Sequence, residues 1–196
     1  CIRNRIDSAV EIPCMQAEIM KKGGLPELIL PEPNGKKAAV IGSGPAGLGA
    51  VFELITHGWL VDLYEKSKTL GGAVRLIPEY RLPKSVLNTE ISRLTENNRV
   101  TVHLNSAITD FDSLKTRYDG IILAMGEPLP HSLGIKGEEH CISYKDYLSN
   151  PENYIHPKIC VCGGGEVALD CALTAASQNA EVEMFVRRRR EDMRIM

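Results

Sequence analysis

The chain has 196 residues, with 23 Lys and Arg against 25 Asp and Glu, so its formal net charge is −2. This near-neutral balance argues against a dedicated nucleic-acid binder or a membrane-surface protein, and no apolar stretch approaches the roughly 18 residues that a membrane span needs. The six cysteines show no spacing typical of a secreted disulfide framework, so we expect a cytoplasmic, globular protein.

In chain order, the first predicted elements are a linker segment and a strand–helix–strand unit. Residues 1–35 show no long regular element, and their Pro and Gly residues predict a linker segment. A short apolar run at 38–41 predicts a buried parallel strand, and helical spacing at 45–57 leads to a second strand at 60–64. Strand, helix and strand in this order form a β-α-β unit. The next predicted elements are a loop at 66–82, a helix from Pro83 to residue 97, strands at 100–104 and 121–125, and a helix near 143–149.

A second β-α-β unit is predicted later in the chain, with a strand at 159–162, a helix at 165–178 and a strand at 182–186. Two copies of this unit predict an α/β fold with two Rossmann-like dinucleotide-binding domains.

A glycine-rich motif lies between the first predicted strand and its helix, and we call it the first glycine turn (residues 42–47). It fits G-x-G-x-x-G. Gly42 allows the tight turn, Gly44 lets a pyrophosphate approach the backbone, and Gly47 lets the helix pack close to the strand. Glu65 follows the second strand, where a carboxylate accepts hydrogen bonds from ribose hydroxyls. The pattern predicts a dinucleotide with a free ribose diol, the alternative being a glycine-rich turn near a surface glutamate.

The second glycine turn (residues 163–168) opens the helix of the second unit and fits G-x-G-x-x-A. The position equivalent to Glu65 is Arg187, the first of four consecutive arginines. A guanidinium binds a 2′-phosphate through charge-assisted hydrogen bonds, whereas a carboxylate would repel it. The second site is therefore predicted to prefer NADP(H); the alternatives are a solvated basic patch or a nucleic-acid contact.

These motifs resemble a family of flavoproteins with two dinucleotide-binding domains. The first glycine turn is similar to their FAD fingerprint, and the stretch from Ile77 to Lys84, with Gly71-Gly72 before it, resembles the glutamate synthase small chain and the FAD/NADPH module of dihydropyrimidine dehydrogenase. The likeness covers residues 36–196. It implies an FAD-binding domain at 36–127 and the first part of an NAD(P)H-binding domain at 128–196, after the segment 1–35.

The resemblance also implies roles for individual residues. Implied FAD-binding residues are Gly42, Ser43, Gly44, Pro45, Ala46 and Gly47 at the pyrophosphate, Glu65 at the ribose with Lys66 beside it, Gly72 and Arg81 on the flavin side, Ile108 at the adenine, and Gly126 at the crossover between domains. Implied NADP(H)-binding residues are Gly164, Gly165, Glu166 and Val167 at the pyrophosphate, and Arg187, Arg188 and Arg194 at the 2′-phosphate. No catalytic residue and no metal ligand is predicted, because hydride transfer needs positioned rings rather than a side-chain acid or base.

The sequence departs from the family in three respects. The loop between Gly72 and Ile77 is one residue shorter than usual, which bears on the contact of Arg81. Glu166 stands where the family often has Asn or Asp, and its charge is unfavourable near a pyrophosphate unless it points away. The family needs a C-terminal segment to complete the NADPH sheet, so the chain is expected to be a fragment or to be completed by another part of an assembly.

The cysteines receive two different predictions. Family members carry an N-terminal cysteine-rich segment that binds 4Fe–4S clusters, and such clusters need about four thiolates. Because only Cys1 and Cys14 remain here, we expect any such cluster to lie outside or upstream of this chain. Cys160, Cys162 and Cys171 are expected to be small buried residues.

The resulting hypothesis is an FAD-dependent NAD(P)H oxidoreductase module. NADPH would deliver hydride to the flavin, and electrons would pass onward to an iron–sulfur centre or partner subunit of a hetero-oligomer. The alternative is a non-catalytic subunit that holds FAD or supports a larger redox complex.

Overall fold

The computed structural model describes residues 2–24, 27–126, 132, 134–187 and 189. The chain divides into two compact units, Cys1–Leu30 and Pro31–Met196. Cys1 and the expected domain boundary at 127/128 lie outside the described residues.

The first unit contains helix α1, which spans Ile12–Gly23. The interpretation of residues 1–35 as lacking a regular element is therefore wrong for this stretch. Pro13 lies in the first turn, where a helix tolerates proline because the missing N–H would have no helical partner. The N–H of Gly24 closes the helix by donating to the carbonyl of Met20 at 3.1 Å.

The second unit begins with a sheet of four parallel strands. They are β1 (Lys37–Ile41), β2 (Leu60–Tyr64), β3 (Val100–His103) and β4 (Gly120–Leu123), in the spatial order β3-β2-β1-β4. Helix α2 (Pro45–Thr56) connects β1 to β2, while α3 (Lys84–Thr95) precedes β3 and the short α4 (Asp112–Lys115) precedes β4. Strands and helices follow the sequence prediction within a few residues, except that α4 was not predicted.

Strand β1 lies at the centre of this sheet and is the most deeply buried. Ala39 and Val40 point to opposite faces, and both are fully inaccessible to solvent. On one face, Leu114 and Tyr118 pack against Ala39. Helix α2 packs against β1 and β2. Burial on both faces explains why the strand is a continuous apolar run.

A buried carboxylate, Asp62 in β2, interrupts the apolar interior. Its carboxylate accepts a hydrogen bond from Tyr118 Oη at 2.5 Å and forms an ion pair with Lys37 Nζ at 2.8 Å. Burial disfavours the charged form, but Lys37 and Tyr118 outweigh it and hold the pKa of Asp62 below its ordinary value. The ionised carboxylate therefore ties β2 to β1 and to the segment after α4.

The second sheet has two parallel strands, β5 (Lys158–Cys162) and β6 (Glu181–Phe185), joined by α6 (Glu166–Ser177). Helix α5 (Tyr144–Ser149) packs against α6. Four short 3-10 segments complete the described elements: Ile2–Arg5, Gly72–Leu76, Glu138–His140 and Pro151–Tyr154. Within the described residues, no helix combines the length and the apolar character that a membrane span requires.

The cysteine prediction is correct for Cys171, which is buried, and wrong for Cys160 and Cys162, which are exposed. The physical reason is the alternation of side chains along a strand. Val161 of β5 packs into the core with α6, so its neighbours at 160 and 162 point to the opposite face of the two-stranded sheet.

Candidate functional site

The first glycine turn connects the end of β1 to the start of α2 through very close backbone contacts. Gly42 has φ +102°, and a Cβ there would lie 2.3 Å from the carbonyl oxygen of Ala124. A Cβ on Gly47 would lie only 1.9 Å from the carbonyl oxygen of Gly42. A Cβ on Gly44 would meet no atom within 4 Å. Gly42 and Gly47 are thus required by the packing, and Gly44 leaves the backbone open.

This open backbone lies at the N-terminus of α2, which has Pro45 as its first residue and Gly44 as its N-cap. The first N–H groups of a helix have no helical carbonyl partners, and the helix dipole places partial positive charge there. An accessible glycine beside unpaired N–H groups fits an anionic pyrophosphate.

Glu65 follows β2 directly and is 7% exposed. Its carboxylate accepts hydrogen bonds from Ser43 N at 3.0 Å, Ser43 Oγ at 2.5 Å and Ser67 N at 2.9 Å. Burial disfavours the charged form, yet the hydrogen bonds from Ser43 and Ser67 outweigh it and hold the pKa of Glu65 below its ordinary value. Glu65 is therefore an ionised residue that braces the first glycine turn, with further acceptor capacity for a ribose hydroxyl.

The loop after β2 lies against the first glycine turn. Gly71 N donates to the carbonyl oxygen of Ser43 at 3.0 Å and lies 3.2 Å from its Oγ. A Cβ on Gly72 would lie 2.9 Å from Gly44 Cα, so only glycine fits this approach. Gly72 thus lies against the first glycine turn, and its implied place on the flavin side stays a prediction.

The resemblance also implied three further residues at the first site, Lys66, Ile108 and Gly126. In the described part of the chain, no polar contact of theirs defines a role. Lys66 is exposed, and Ile108 is half-buried and packs beside the cluster that includes Ala39. Gly126 is exposed with φ +70°, close after β4.

Arg81 contacts the second β-α-β unit. Its Nη1 donates to both carboxylate oxygens of Asp170 at 2.9 and 2.8 Å, and its Nη2 donates to Glu166 at 3.1 Å. Hydrogen bonding to Asp170, and then to Glu166, raises the pKa of Arg81 above its ordinary value. Arg81, implied by resemblance to line the flavin side, is committed to α6 in this structure.

The second glycine turn repeats the geometry of the first between β5 and α6. Gly163 has φ +139°, and its N–H donates to the carbonyl of Phe185 at 3.0 Å. Gly165 is the N-cap of α6, and a Cβ there would meet nothing within 4 Å. Gly164 is half-buried in the turn, and Val167 is exposed in the first turn of the helix. This turn, too, offers open backbone at a helix N-terminus.

The ribose end of the second unit is only partly described. Arg187 is exposed just beyond β6, whereas Arg188 and Arg194 lie outside the described residues. Among the residues that the structure does describe, no group of His, Cys, Asp or Glu side chains is arranged to hold a metal ion.

Sequence reasoning missed two residues that shape these sites. Asp170 is buried, although it is charged, and it also accepts a hydrogen bond from Tyr80 Oη at 3.2 Å. Ser67 holds Glu65. The one available signal for Asp170 was its spacing of one helical turn after Glu166, which places both carboxylates on the same face of α6.

Comparison with known proteins agrees with this geometry. The sequence model of the family described as "Pyridine nucleotide-disulphide oxidoreductase" matches residues 36–194. The chain is 33% identical over 176 residues to the beta subunit of NADP-dependent formate dehydrogenase from Moorella thermoacetica, covering 82% of this chain and 24% of that protein. It is 30% identical over 203 residues to the small chain of NADPH glutamate synthase from Bacillus subtilis (strain 168), covering 89% and 40% respectively.

Among solved structures, 2-naphthoyl-CoA reductase in complex with 2-naphthoyl-CoA is similar, with a TM-score of 0.63 and 27% identity over 81% of this chain and 24% of that one. The chain therefore spans less than half the length of each of these three proteins. Since the family match extends over most of the chain, from the start of β1 to beyond β6, this chain belongs to the pyridine nucleotide-disulphide oxidoreductase family.

Proposed function

We propose that this chain is the dinucleotide-binding part of an FAD-dependent NADPH oxidoreductase, with FAD at the first glycine turn and NADPH at the second. The proposal rests on one observation: the charged residue that follows the second strand is negative in the first β-α-β unit and positive in the second. An ionised carboxylate, Glu65, follows β2, and an exposed guanidinium, Arg187, follows β6.

The residues of the first site fit FAD in two ways. The open backbone at Gly44 and the N-terminus of α2 accept the pyrophosphate. The ionised Glu65 accepts ribose hydroxyls and excludes a 2′-phosphate by repulsion. FAD, when bound, supplies the hydride acceptor that side chains cannot provide.

The residues of the second site fit a phosphorylated dinucleotide. Gly165 leaves the N-terminus of α6 open for the pyrophosphate, and Arg187 is free of any described side-chain contact and available for the 2′-phosphate. The unfavourable charge of Glu166 is compensated, because its carboxylate is paired with Arg81 at 3.1 Å. The departure at position 166 is thus compatible with NADPH binding.

The electron acceptor beyond the flavin is proposed to be an iron–sulfur centre or a partner subunit. The two curated relatives named above are a beta subunit and a small chain, which supports assembly into a hetero-oligomer. An iron–sulfur acceptor that lies outside or upstream of this chain stays a prediction.

The proposed contact between Arg187 and the 2′-phosphate can be tested by substitution. Arg187→Ala removes one charge-assisted interaction with the 2′-phosphate, so we expect NADP⁺ to bind about 10- to 100-fold more weakly. Binding of NAD⁺, which lacks this phosphate, should not change. Isothermal titration calorimetry of the purified full-length protein measures both constants without reducing the flavin.

The matched control is Arg5→Ala, which removes an exposed arginine of the first unit. It should leave both constants unchanged and so exclude a general effect of lost positive charge. Equal weakening of NADP⁺ and NAD⁺ by Arg187→Ala would contradict the assignment of the 2′-phosphate site.

A further inference from the structure

We propose that Arg81 is a positioning residue for NAD(P)H, which offsets part of the negative charge of the two carboxylates on the first turns of α6 and fixes this helix relative to the first glycine turn. The inference rests on the proposed function, because it assumes that the second glycine turn binds NAD(P)H. It goes further by giving a role in the second site to a residue that lies 85 positions before Glu166 in the sequence.

The contacts of Arg81 are those of a built ion-pair network. One guanidinium reaches two carboxylates: it is bonded to Asp170 at 2.8 and 2.9 Å and to Glu166 at 3.1 Å. The side chain of Asp170 is only 6% exposed, and Tyr80 Oη donates a further hydrogen bond to it at 3.2 Å. Because Nη1 bonds Asp170 and Nη2 bonds Glu166, the planar guanidinium is held by both carboxylates at once.

The charges explain why this network matters for a dinucleotide. Glu166 is the first residue of α6, and Asp170 lies one turn later on the same face. Without Arg81, two negative charges would lie within a turn or two of the N–H groups that a pyrophosphate needs. The single guanidinium offsets one of these two charges, so the repulsion of an anion at the N-terminus of α6 is reduced.

Arg81 is itself held by the segment that covers the first glycine turn. That segment begins at Gly71 and Gly72, which contact Ser43 and Gly44. Lys84 Nζ then fixes its middle by donating to the carbonyls of Arg75 at 2.6 Å and Ile77 at 2.8 Å.

A continuous set of direct contacts therefore runs from the first glycine turn through this segment to α6. Hydride transfer requires reacting atoms about 3–3.5 Å apart, and a misplacement of about 1 Å can reduce the rate about 100-fold. Arg81 makes three of the hydrogen bonds that join this segment to α6, and Tyr80 adds a fourth, so Arg81 is placed to relate the position of one site to the other.

The experiment uses the full-length holoprotein and measures the Kd of NADP⁺ and of NAD⁺ by calorimetry for the wild type, Arg81→Gln, Glu166→Gln and the double variant. We expect Arg81→Gln to weaken both ligands equally, by about tenfold or more, because both carry the same pyrophosphate. In the Arg81→Gln background, Glu166→Gln should restore a large part of the lost affinity. A purely structural ion pair would show no such rescue, since removing a second partner does not rebuild a contact.

Arg81→Gln leaves the buried Asp170 without its charge partner, which can prevent folding. The variant Arg81→Lys is therefore measured as well. Lysine keeps the charge but not the planar fork. The expected result is near-wild-type affinity together with a slower NADPH-dependent reduction of the flavin, because charge is retained and alignment is lost.

The outcomes separate this inference from the proposed function. If the wild type binds neither dinucleotide, the proposed function is wrong and this inference is wrong with it. If the wild type binds NADP⁺ and every Arg81 variant binds and is reduced as the wild type does, the inference alone is overturned. Loss of affinity in Arg81→Gln without rescue by Glu166→Gln would also overturn it.

Discussion

Asp62 and Glu65 are both buried carboxylates, one within β2 and one directly after it, and each remains ionised because of specific donors. Lys37 and Tyr118 hold Asp62, whereas Ser43 and Ser67 hold Glu65. The two residues nevertheless have different structural roles. Asp62 joins strands inside the sheet, and Glu65 faces the first glycine turn, where a ligand is proposed to bind.

The lowered pKa of Asp62 predicts a dependence of stability on pH. A carboxyl whose pKa is lower in the folded state stabilises the fold above its unfolded value of about 4, and this contribution is lost as pH falls through the folded-state pKa. We therefore expect Asp62→Asn to reduce the free energy of unfolding by about 2 kcal/mol at neutral pH. The variant should also lose less stability than the wild type on acidification below about pH 5. Urea denaturation at a series of pH values measures both effects.

The control for this experiment is Asp112→Asn. Asp112 pairs with Lys115 at 2.6 Å, but its side chain is 85% exposed. An exposed pair contributes at most about 1 kcal/mol, so this variant should unfold almost like the wild type. If Asp62→Asn behaved in the same way, the role of Asp62 in the sheet would be refuted.

At the scale of elements, sequence reasoning succeeded where the signal is local. Apolar runs and helical spacing predicted β1, α2 and β2, because burial on both faces of a parallel strand requires such runs. It failed for α1, because the Pro and Gly residues of 1–35 were taken to exclude a long element, although the stretch before Gly24 is long enough for a helix of three turns. It also failed for Cys160, because spacing along a strand does not tell which of its two faces is covered.

Two glycines of α2 allow a matched test of the first glycine turn. A Cβ on Gly47 would lie 1.9 Å from the carbonyl oxygen of Gly42, while a Cβ on Gly49 would meet no atom within 4 Å. Gly47→Ala should therefore destabilise the protein by about 3 kcal/mol through overpacking. Gly49→Ala should stabilise it by about 0.5–1 kcal/mol, because alanine is the better helix former.

Thermal unfolding distinguishes these variants, since each 1 kcal/mol shifts the Tm of a protein of this size by about 2–4 °C. The flavin content of the purified proteins should fall for Gly47→Ala and remain unchanged for Gly49→Ala. Similar Tm values for the two variants would show that the close approach of α2 to β1 is not required.

At the scale of the whole molecule, the decisive contacts join residues that are far apart in sequence. Arg81 and Asp170 are 89 positions apart: Arg81 follows the first β-α-β unit, and Asp170 lies within the second. Motifs identify each glycine turn separately, because the chemistry of a turn is local. They contain no information on how one unit is oriented against the other, so the Arg81 network could not be predicted from the sequence.

We propose that the two glycine turns bring FAD and NADPH within hydride-transfer distance. An anaerobic titration of the purified full-length holoprotein with NADPH, followed by the flavin absorbance, tests this directly. We expect about one equivalent of NADPH to bleach the flavin, since a hydride carries two electrons, and NADH to be less effective at equal concentration. A flavin that stays oxidised while NADPH is bound would refute this arrangement and favour a non-catalytic, FAD-holding subunit.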